Sequence, residues 1–188
     1  MKTISPITHA DFRIIIFSTI LALLSFSAFS QVPTNQDCLG AIPICSNTYT
    51  INFNHNGMGN FPSEIFNAGT CYATEQRSIW LKFTIQQAGL LRYSITPLNA
   101  NQDHDWTLFD MSTTSCAQLA TFAGASGAMA RSNTWGVFGA NGPSGVSTPN
   151  GGFGVCNGPG NFNGPQWNAD LPVTAGTPYY LHITNWTG

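Results

Sequence analysis

The chain has 188 residues, of which 7% are charged, and its formal net charge is −2 at pH 7. Six Lys and Arg side chains are too few for the basic stripe that nucleic-acid binding needs, so the composition excludes that class of partner. With few charges and 19 Gly, the composition favours a β-rich protein that is kept soluble by amides and hydroxyls.

The N-terminus has the parts of a secretory signal peptide. A polar, basic start is followed by an apolar run over 14–29 and by small residues up to Ser30, which predicts cleavage before Gln31. The apolar run is shorter than the roughly 20 residues that span a bilayer, which favours a signal peptide over a membrane anchor. We therefore expect 1–30 to be removed and 31–188 to form one secreted domain with no membrane span.

Five short segments after residue 30 have the β-branched and aromatic content of strands. In SIWLKFTI, the apolar side chains at alternate positions share one face, which is the period of two expected for a strand over a core. The short QQAG connection after it predicts an antiparallel hairpin with the next segment. The five segments are 48–53, 78–85, 90–96, 105–111 and 178–184.

The strand pattern predicts an all-β fold, a jelly-roll-like antiparallel β-sandwich. No segment after residue 30 has a sustained apolar period of 3.6 residues, and 116–122 is expected to form at most one or two helical turns. In the fourth strand segment both faces carry bulk, so we expect it to lie buried between two layers, with Trp106 and Leu108 in the core.

A long segment, 139–168, contains 9 Gly, 6 Asn and 4 Pro and no charged side chain. A stretch of this length without regular structure is often a binding loop. Phe162 and Trp167 are therefore candidate ligand-binding residues that could stack on a ligand. The alternative is that these rings anchor the segment to the core, as large aromatic side chains usually do.

All five cysteines follow residue 30, and an oxidising compartment makes disulfides the expected state. Their spacings lack the paired CxxC ligands of a structural zinc site. The preferred pairs are Cys45 with Cys71 and Cys116 with Cys156, which leaves Cys38 over.

The stretch NQDHDW contains a candidate metal site. Asn101, Asp103 and Asp105 are spaced by two, so they project to the same side of an extended segment, and their oxygen atoms suit Ca²⁺. Glu75 or Asp110 could complete the coordination shell. The alternative is that Asp105 accepts backbone N–H bonds at the entrance of a strand. Ca²⁺ is the one cofactor that the sequence suggests.

Catalysis has little support in the sequence. No GxSxG, HExxH, P-loop or Cys/His arrangement is present. Glu64 and Glu75 could form a glycosidase pair, but any two acids could. His182 lies in an apolar strand segment, where a packed core histidine is the expected role. We therefore expect a protein that is not an enzyme.

Three stretches resemble the N-terminal β-sandwich module of large secreted bacterial surface proteins of the gliding-motility-associated, type IX-exported class. They are AIPICSNTYTINF, SIWLKFTIQQAGLLRYSITPLNANQDHDWTLFDMSTTSC and LPVTAGTPYYLHITNWTG. The middle stretch is also similar to the bacterial pre-peptidase C-terminal domain. The resemblance implies a further strand after Gly188, so the domain is expected to lack its last strand and to leave a sheet edge uncovered.

The same resemblance implies a non-catalytic binding or adhesion module at the cell surface. Its partner would be a surface glycan or a protein ligand. The alternative function is an accessory, carbohydrate-binding domain of a secreted hydrolase.

Overall fold

The computed structural model divides the chain into two units, Met1–Val32 and Pro33–Gly188, and every element below belongs to the second. The predicted signal peptide lies outside the described residues. These are 31–51, 55–65, 70, 72, 74–99, 101–119, 128–132, 143–147, 156–157 and 167–187, with 128–132 and 156–157 described for the backbone alone.

Strands dominate the described part of the chain. A 3₁₀ turn, Cys38–Gly40, precedes them, and one short helix interrupts them. The elements are β1 (Ile42–Pro43), β2 (Ile79–Thr84), β3 (Gly89–Leu91), β4 (Tyr93–Ile95), β5 (His104–Asp110), α1 (Cys116–Leu119), β6 (Ala128–Ser132), β7 (Ser144–Val146), β8 (Cys156–Asn157), β9 (Trp167–Asn168), β10 (Leu171–Val173) and β11 (Pro178–Asn185).

The strands form one large sheet and two small ones. The large sheet has the order β1-β2-β11-β5-β6-β8, and the small sheets are β10-β3 and β4-β7-β9. Strand β11 lies inside the large sheet and pairs antiparallel with β2 on one side and with β5 on the other. The fold is therefore all-β and sandwich-like, as the strand pattern predicts.

Three of the five predicted strand segments are confirmed as β2, β5 and β11, and the segment over 90–96 is divided into β3 and β4 at Arg92. The predicted hairpin is wrong, because β2 pairs with β1 and β11 while β3 pairs with β10 in another sheet. The QQAG connection therefore crosses between layers. Residues 48–51 are not a strand, and β7, β8 and β9 lie within the predicted long loop.

The inner face of the large sheet forms the main core. Trp106 and Leu108 are fully buried there, which confirms their predicted core role. The indole Nε1 of Trp106 donates a 3.1 Å hydrogen bond to Ser144 Oγ of β7, which ties the two layers together. The other buried members of this core are Ile79, Leu81, Val146, Leu171, Val173, Tyr179, Leu181 and Ile183.

The opposite face of the large sheet carries a second core, because alternate side chains of a strand point to opposite sides. Trp80 and Phe109 are buried on this side, with ring centroids 5.6 Å apart. Segments 33–41, 55–65, 72 and 74–78, together with α1, contribute the residues that pack on it, and we call them the outer cover. The members of this core that come from the outer cover are Cys38, Ala41, Ile65, Tyr72, Cys116 and Leu119.

Hydrogen bonds hold the outer cover in place. The carboxylate of Asp37 accepts bonds of 2.6 to 2.8 Å from the backbone N–H and hydroxyl of Thr34 and from the N–H groups of Asn60 and Phe61. The hydroxyl of Thr184 accepts from the N–H of Gln76 at 2.8 Å and donates to its carbonyl at 2.6 Å. The Asp37 bonds join segment 33–41 to segment 55–65, and the Thr184 bonds join segment 74–78 to β11.

The outer cover also contains a disulfide that corrects the predicted pairing. Cys38 is bonded to Cys116, with the Cα atoms 5.5 Å apart, whereas Cys116 was expected to pair with Cys156. Cys45 is a free, exposed cysteine, so its predicted pairing with Cys71 is wrong as well. The reason is that the 3₁₀ turn and α1 pack on the same face of the sheet, although 78 residues separate their cysteines. Cys71 lies outside the described residues.

Candidate functional site

A cluster of polar side chains is sealed between the outer cover and the large sheet. His182 of β11 lies in register between Trp80 of β2 and Thr107 of β5, and its side chain is 0% exposed. The Nδ1 atom of His182 is 2.8 Å from the hydroxyl oxygen of Tyr72. The Nε2 atom is 3.7 Å from Oε2 of Glu75, which is also fully buried. Tyr72 and Glu75 of the outer cover thus both contact His182 of the large sheet.

Acidic residues of the outer cover continue this cluster. Oε2 of Glu75 accepts a 2.8 Å hydrogen bond from the hydroxyl of Ser78, and Oε2 of Glu64 accepts a 2.7 Å bond from the N–H of Cys38. Burial, with smaller contributions from the charges of Glu75 and Asp37, raises the pKa of Glu64 to about 8. Glu64 is therefore largely protonated at pH 7, which reduces the charge enclosed under the cover.

Access distinguishes this cluster from a catalytic centre. A general base must come within hydrogen-bond reach of a substrate proton. The imidazole of His182 is packed against the indole of Trp80, with centroids 4.7 Å apart, and a substrate cannot reach it unless the outer cover opens. The predicted role of His182 as a packed core residue is confirmed. Glu64 and Glu75 are also buried.

The residues of the predicted calcium site separate into exposed and buried positions. Asn101 is exposed, whereas Asp103 and Asp105 are each 2% exposed. The N–H of Asp103 donates to the hydroxyl of Thr187, and its carbonyl accepts from the N–H of Trp186, both at 2.9 Å.

Asp105 of β5 is the register partner of Thr184 in β11. Burial, together with the charges of Asp105 and Glu75, raises the pKa of Tyr72 well above its ordinary value. Among the residues that the structure describes, no three His, Cys, Asp or Glu side chains form a group that could hold a metal ion. The calcium site stays a prediction.

An open groove forms the second region of interest. Its volume is about 2290 Å³, and it is lined by 43–51 and by residues of β2, β3, β4 and β11. Pockets for drug-sized ligands have volumes of roughly 300–1,000 Å³, so the groove suits an extended ligand. The groove wall includes half-buried apolar side chains that also pack against the main core, namely Ile44, Ile51, Phe83, Ile85, Leu91, Tyr93 and Ile95.

Polar side chains make up much of the remaining groove wall. Segment 43–51 contributes Tyr49, which is 45% exposed. Amide and hydroxyl side chains line the same space, which gives it many uncharged hydrogen-bonding groups. They are Ser46, Asn47, Thr48, Thr50, Asn56, Thr84, Gln86, Ser94, Thr96, Asn99, Gln102, Asn185 and Thr187.

The charges of the groove are all of one sign. Arg77, Lys82 and Arg92 line it, and none of the seven Asp and Glu residues that follow residue 30 does. His55 and His104 also line the groove, and burial lowers the pKa of both, so their neutral forms are favoured at pH 7. Lys and Arg side chains therefore supply the charge of the described groove wall.

Arg77 has a backbone conformation that is uncommon for its residue type. Its φ is +44°, in the left-handed region, and its N–H donates a 2.8 Å hydrogen bond to the carbonyl of Gly57. Glycine adopts this region at little cost, whereas other residues are found there infrequently. A strained arginine at the wall of a groove is the type of outlier that often accompanies a binding site.

The predicted ligand-binding residues do not coincide with the groove. Phe162 lies outside the described residues, and Trp167 is half-buried in β9 and does not line the described wall. Tyr49 was missed because TYTINF has the composition of a strand, although the structure places its first residues in an irregular segment. The adjacent Asn47 and Thr48 were the available signal of an exposed, polar stretch.

Comparison with known proteins gives no match to a family model, to a curated protein or to a solved structure. Within the described ranges, none of the helices has the length and apolar character needed to cross a membrane.

Proposed function

We propose that this chain is a non-catalytic binding module of an exported bacterial cell-surface protein, and that its ligand is a glycan chain. The observation that carries the proposal is the open groove, about 2290 Å³ in volume, with its tyrosines and its many amide and hydroxyl side chains. The resemblance of three stretches to modules of surface proteins supports placing the chain at the cell surface.

The chemistry of the groove wall suits a sugar chain. Tyr49 offers an aromatic ring that can pack on the apolar face of a pyranose, and the ring also has a polar hydroxyl. The uncharged polar side chains can bond to sugar hydroxyls as donors and as acceptors. A glycan chain is extended, which fits a long groove better than a small enclosed cavity does.

The position of the carboxylates favours binding over glycoside hydrolysis. Most glycosidases place two carboxyl groups roughly 5–10 Å apart on either side of the scissile bond. None of the seven Asp and Glu residues after residue 30 lines the described groove wall, and six of the seven are buried. A ligand in the groove would therefore meet hydrogen-bonding groups and cations.

An accessory domain of a secreted hydrolase would use the groove in the same way as an adhesin. The two candidates differ in where the protein acts, since an adhesin must stay at the cell surface. Antibody labelling of intact cells that produce the full protein separates them. Surface labelling, together with loss of adherence to glycan-coated beads when Tyr49→Ala is introduced, supports the adhesin.

The direct test is a binding titration of the purified chain against a panel of neutral and acidic oligosaccharides. Tyr49→Ala should weaken binding by about tenfold, which corresponds to about 1.4 kcal/mol for a lost stacking contact. Met58→Ala is the matched control, because Met58 is also an exposed apolar side chain and does not line the groove. The proposal is overturned if no oligosaccharide binds, or if both variants bind like the wild type.

A further inference from the structure

We infer that the groove selects an anionic ligand, a glycan chain that carries carboxylate or sulfate groups. This inference rests on the proposed function and narrows it to a substrate class. The observation behind it is the separation of charges within the domain.

Acids and cations occupy different places in the fold. Six of the seven Asp and Glu residues after residue 30 are buried, and the seventh, Asp110, is half-buried outside the described groove wall. Arg77, Lys82 and Arg92 are among the residues that line the described groove wall. The six buried acids are Asp37, Glu64, Glu75, Asp103, Asp105 and Asp170.

The three groove cations differ in their partners. Arg92 is paired with Asp170, and its Nε donates a 2.7 Å hydrogen bond to Oδ2 of that residue. The Arg92 side chain is 61% exposed and that of Asp170 is 6% exposed, so the cation faces the solvent while its partner does not. Arg77 and Lys82 form no ion pair with any carboxylate in the described part of the chain.

Arg77 and Lys82 are half-buried, and this partial burial favours the binding of a ligand anion. A half-buried cation has lost some of its hydrogen bonds to water. A charge-assisted hydrogen bond to an anion compensates for them. Lys82 is part of β2, Arg77 lies two residues before β2, and Arg92 lies between β3 and β4. Arg77 and Arg92 thus reach the groove from separate segments, whereas Lys82 shares its face of β2 with Trp80, on the side of the sheet that carries the second core.

The spacing of charge favours an acidic glycan over a nucleic acid. Duplex DNA has one phosphate charge per roughly 1.7 Å of its axis and is bound by many cations. The groove offers three cations among more than a dozen uncharged amide, hydroxyl and tyrosine side chains. That ratio matches a sugar chain on which an acidic group recurs among many hydroxyls.

The test uses one polysaccharide backbone in two charge states, polygalacturonate and its methyl ester. We expect the full chain to bind polygalacturonate about tenfold more tightly than the ester, since a charge-assisted hydrogen bond is worth more than a neutral one. We also expect this preference to shrink as NaCl is raised from about 50 mM to about 500 mM, because salt screens exposed charges.

Two variants remove charge from the groove, Arg92→Gln and Arg77→Gln. Each should lower the affinity for polygalacturonate by about tenfold and leave the affinity for the ester unchanged. Gln118→Glu is the matched control. It changes the net charge by the same amount at an exposed position of α1 that does not line the groove, so it should have no effect.

The outcomes separate this inference from the proposed function. Equal binding of polygalacturonate and its ester, with both weakened by Tyr49→Ala, overturns the anionic preference and leaves the glycan module standing. Absence of binding to either form overturns both. The inference is also overturned, in favour of a general polyanion-binding surface, if duplex DNA binds as tightly as polygalacturonate or if Gln118→Glu has the same effect as Arg77→Gln. Dextran sulfate against carboxymethyl dextran identifies which acidic group is preferred.

Discussion

Charged side chains are enclosed on the outer face of the large sheet, whereas in the groove they remain open to solvent. On the outer face, Glu75, His182 and Tyr72 are enclosed under a cover, and their hydrogen bonds are made within the protein. In the groove, Arg77 remains partly open to solvent, without an ion-pair partner in the described part of the chain. The first arrangement stabilises the fold, whereas the second is available to a ligand.

The difference shows why the formal net charge of −2 is a poor guide to the surface. Most of the negative charge that follows residue 30 belongs to buried carboxyl groups, and the pKa of one of these, Glu64, is raised to about 8 by burial. A ligand that approaches the groove meets cations in a protein whose sequence is acidic.

Opening the outer cover should have the largest effect. The disulfide joins cysteines 78 residues apart, and closing a loop of that size contributes about 4 kcal/mol to the free energy of unfolding. We expect Cys38→Ser/Cys116→Ser to lose about this amount in urea unfolding. Cys45→Ser is the control, because Cys45 is free and exposed. If the double variant is as stable as this control, the disulfide does not stabilise the outer cover.

The calcium hypothesis predicts the next largest effect. If Asn101, Asp103 and Asp105 bind Ca²⁺, the ion at about 100 times its Kd should stabilise the fold by about 2.7 kcal/mol. The measurement is the thermal midpoint in Ca²⁺ and in EDTA, for the wild type and for Asp103→Asn/Asp105→Asn. A midpoint that rises with Ca²⁺ in the wild type alone establishes the site, whereas a midpoint that Ca²⁺ changes in neither protein assigns both aspartates to the strand entrance.

Two tyrosine variants compare the regions directly. Tyr72→Phe removes the partner that lies 2.8 Å from Nδ1 of His182, and a buried polar atom that loses its partner costs about 2 kcal/mol. Tyr49→Phe removes an equivalent hydroxyl from the exposed groove, so we expect the thermal midpoint to change little. Equal shifts in the two variants would contradict the distinction between a sealed face and an open groove.

The remaining prediction is a pH dependence that arises from Glu64 and is spread over several pH units. Its folded pKa, about 8, is above the ordinary value of 4.5, so the folded state binds the proton more tightly than the unfolded state does. This contribution to stability is therefore fully present below about pH 4.5 and is lost as the pH rises to about 8. The slope is at most about 1.4 kcal/mol per pH unit.

Glu64→Gln keeps an oxygen that can accept the Cys38 N–H but removes the titration. Urea midpoints measured across this pH range should fall more steeply in the wild type than in the variant. His55 and His104 contribute equally to both proteins, so their effects cancel in the difference. Parallel pH profiles would show that Glu64 does not titrate in this range.

Local pattern was enough to predict the main strands. In β2, apolar residues alternate, and this period reports which side chains share a face without reference to any partner. The segments of β5 and β11 are instead marked by their aromatic and β-branched residues. The core roles of Trp106, Leu108 and His182 follow from the same local information, as does the turn of helix at α1.

Long-range features could not be predicted in this way. Tyr72 and His182 are 110 residues apart, and the disulfide spans 78, so nothing near either residue in the sequence indicates its partner. The groove could not be predicted for the same reason. Tyr49, Lys82 and Arg92 come from separate segments, and only the folded sheets bring them to one groove. The predicted hairpin failed because a short connection can join two layers as well as two neighbours.

The position of β11 also determines how the domain would respond to mechanical load. A pull along this strand acts in shear on two ladders at once, six register pairs with β2 and seven with β5. Hydrogen bonds loaded in shear must break together, whereas bonds at the end of a hairpin can open one after another. The Cys38–Cys116 bond adds a covalent shortcut, so tension that enters ahead of Cys38 passes to Cys116 without extending the residues between them. A protein held by this domain would therefore resist traction with little lengthening of its chain.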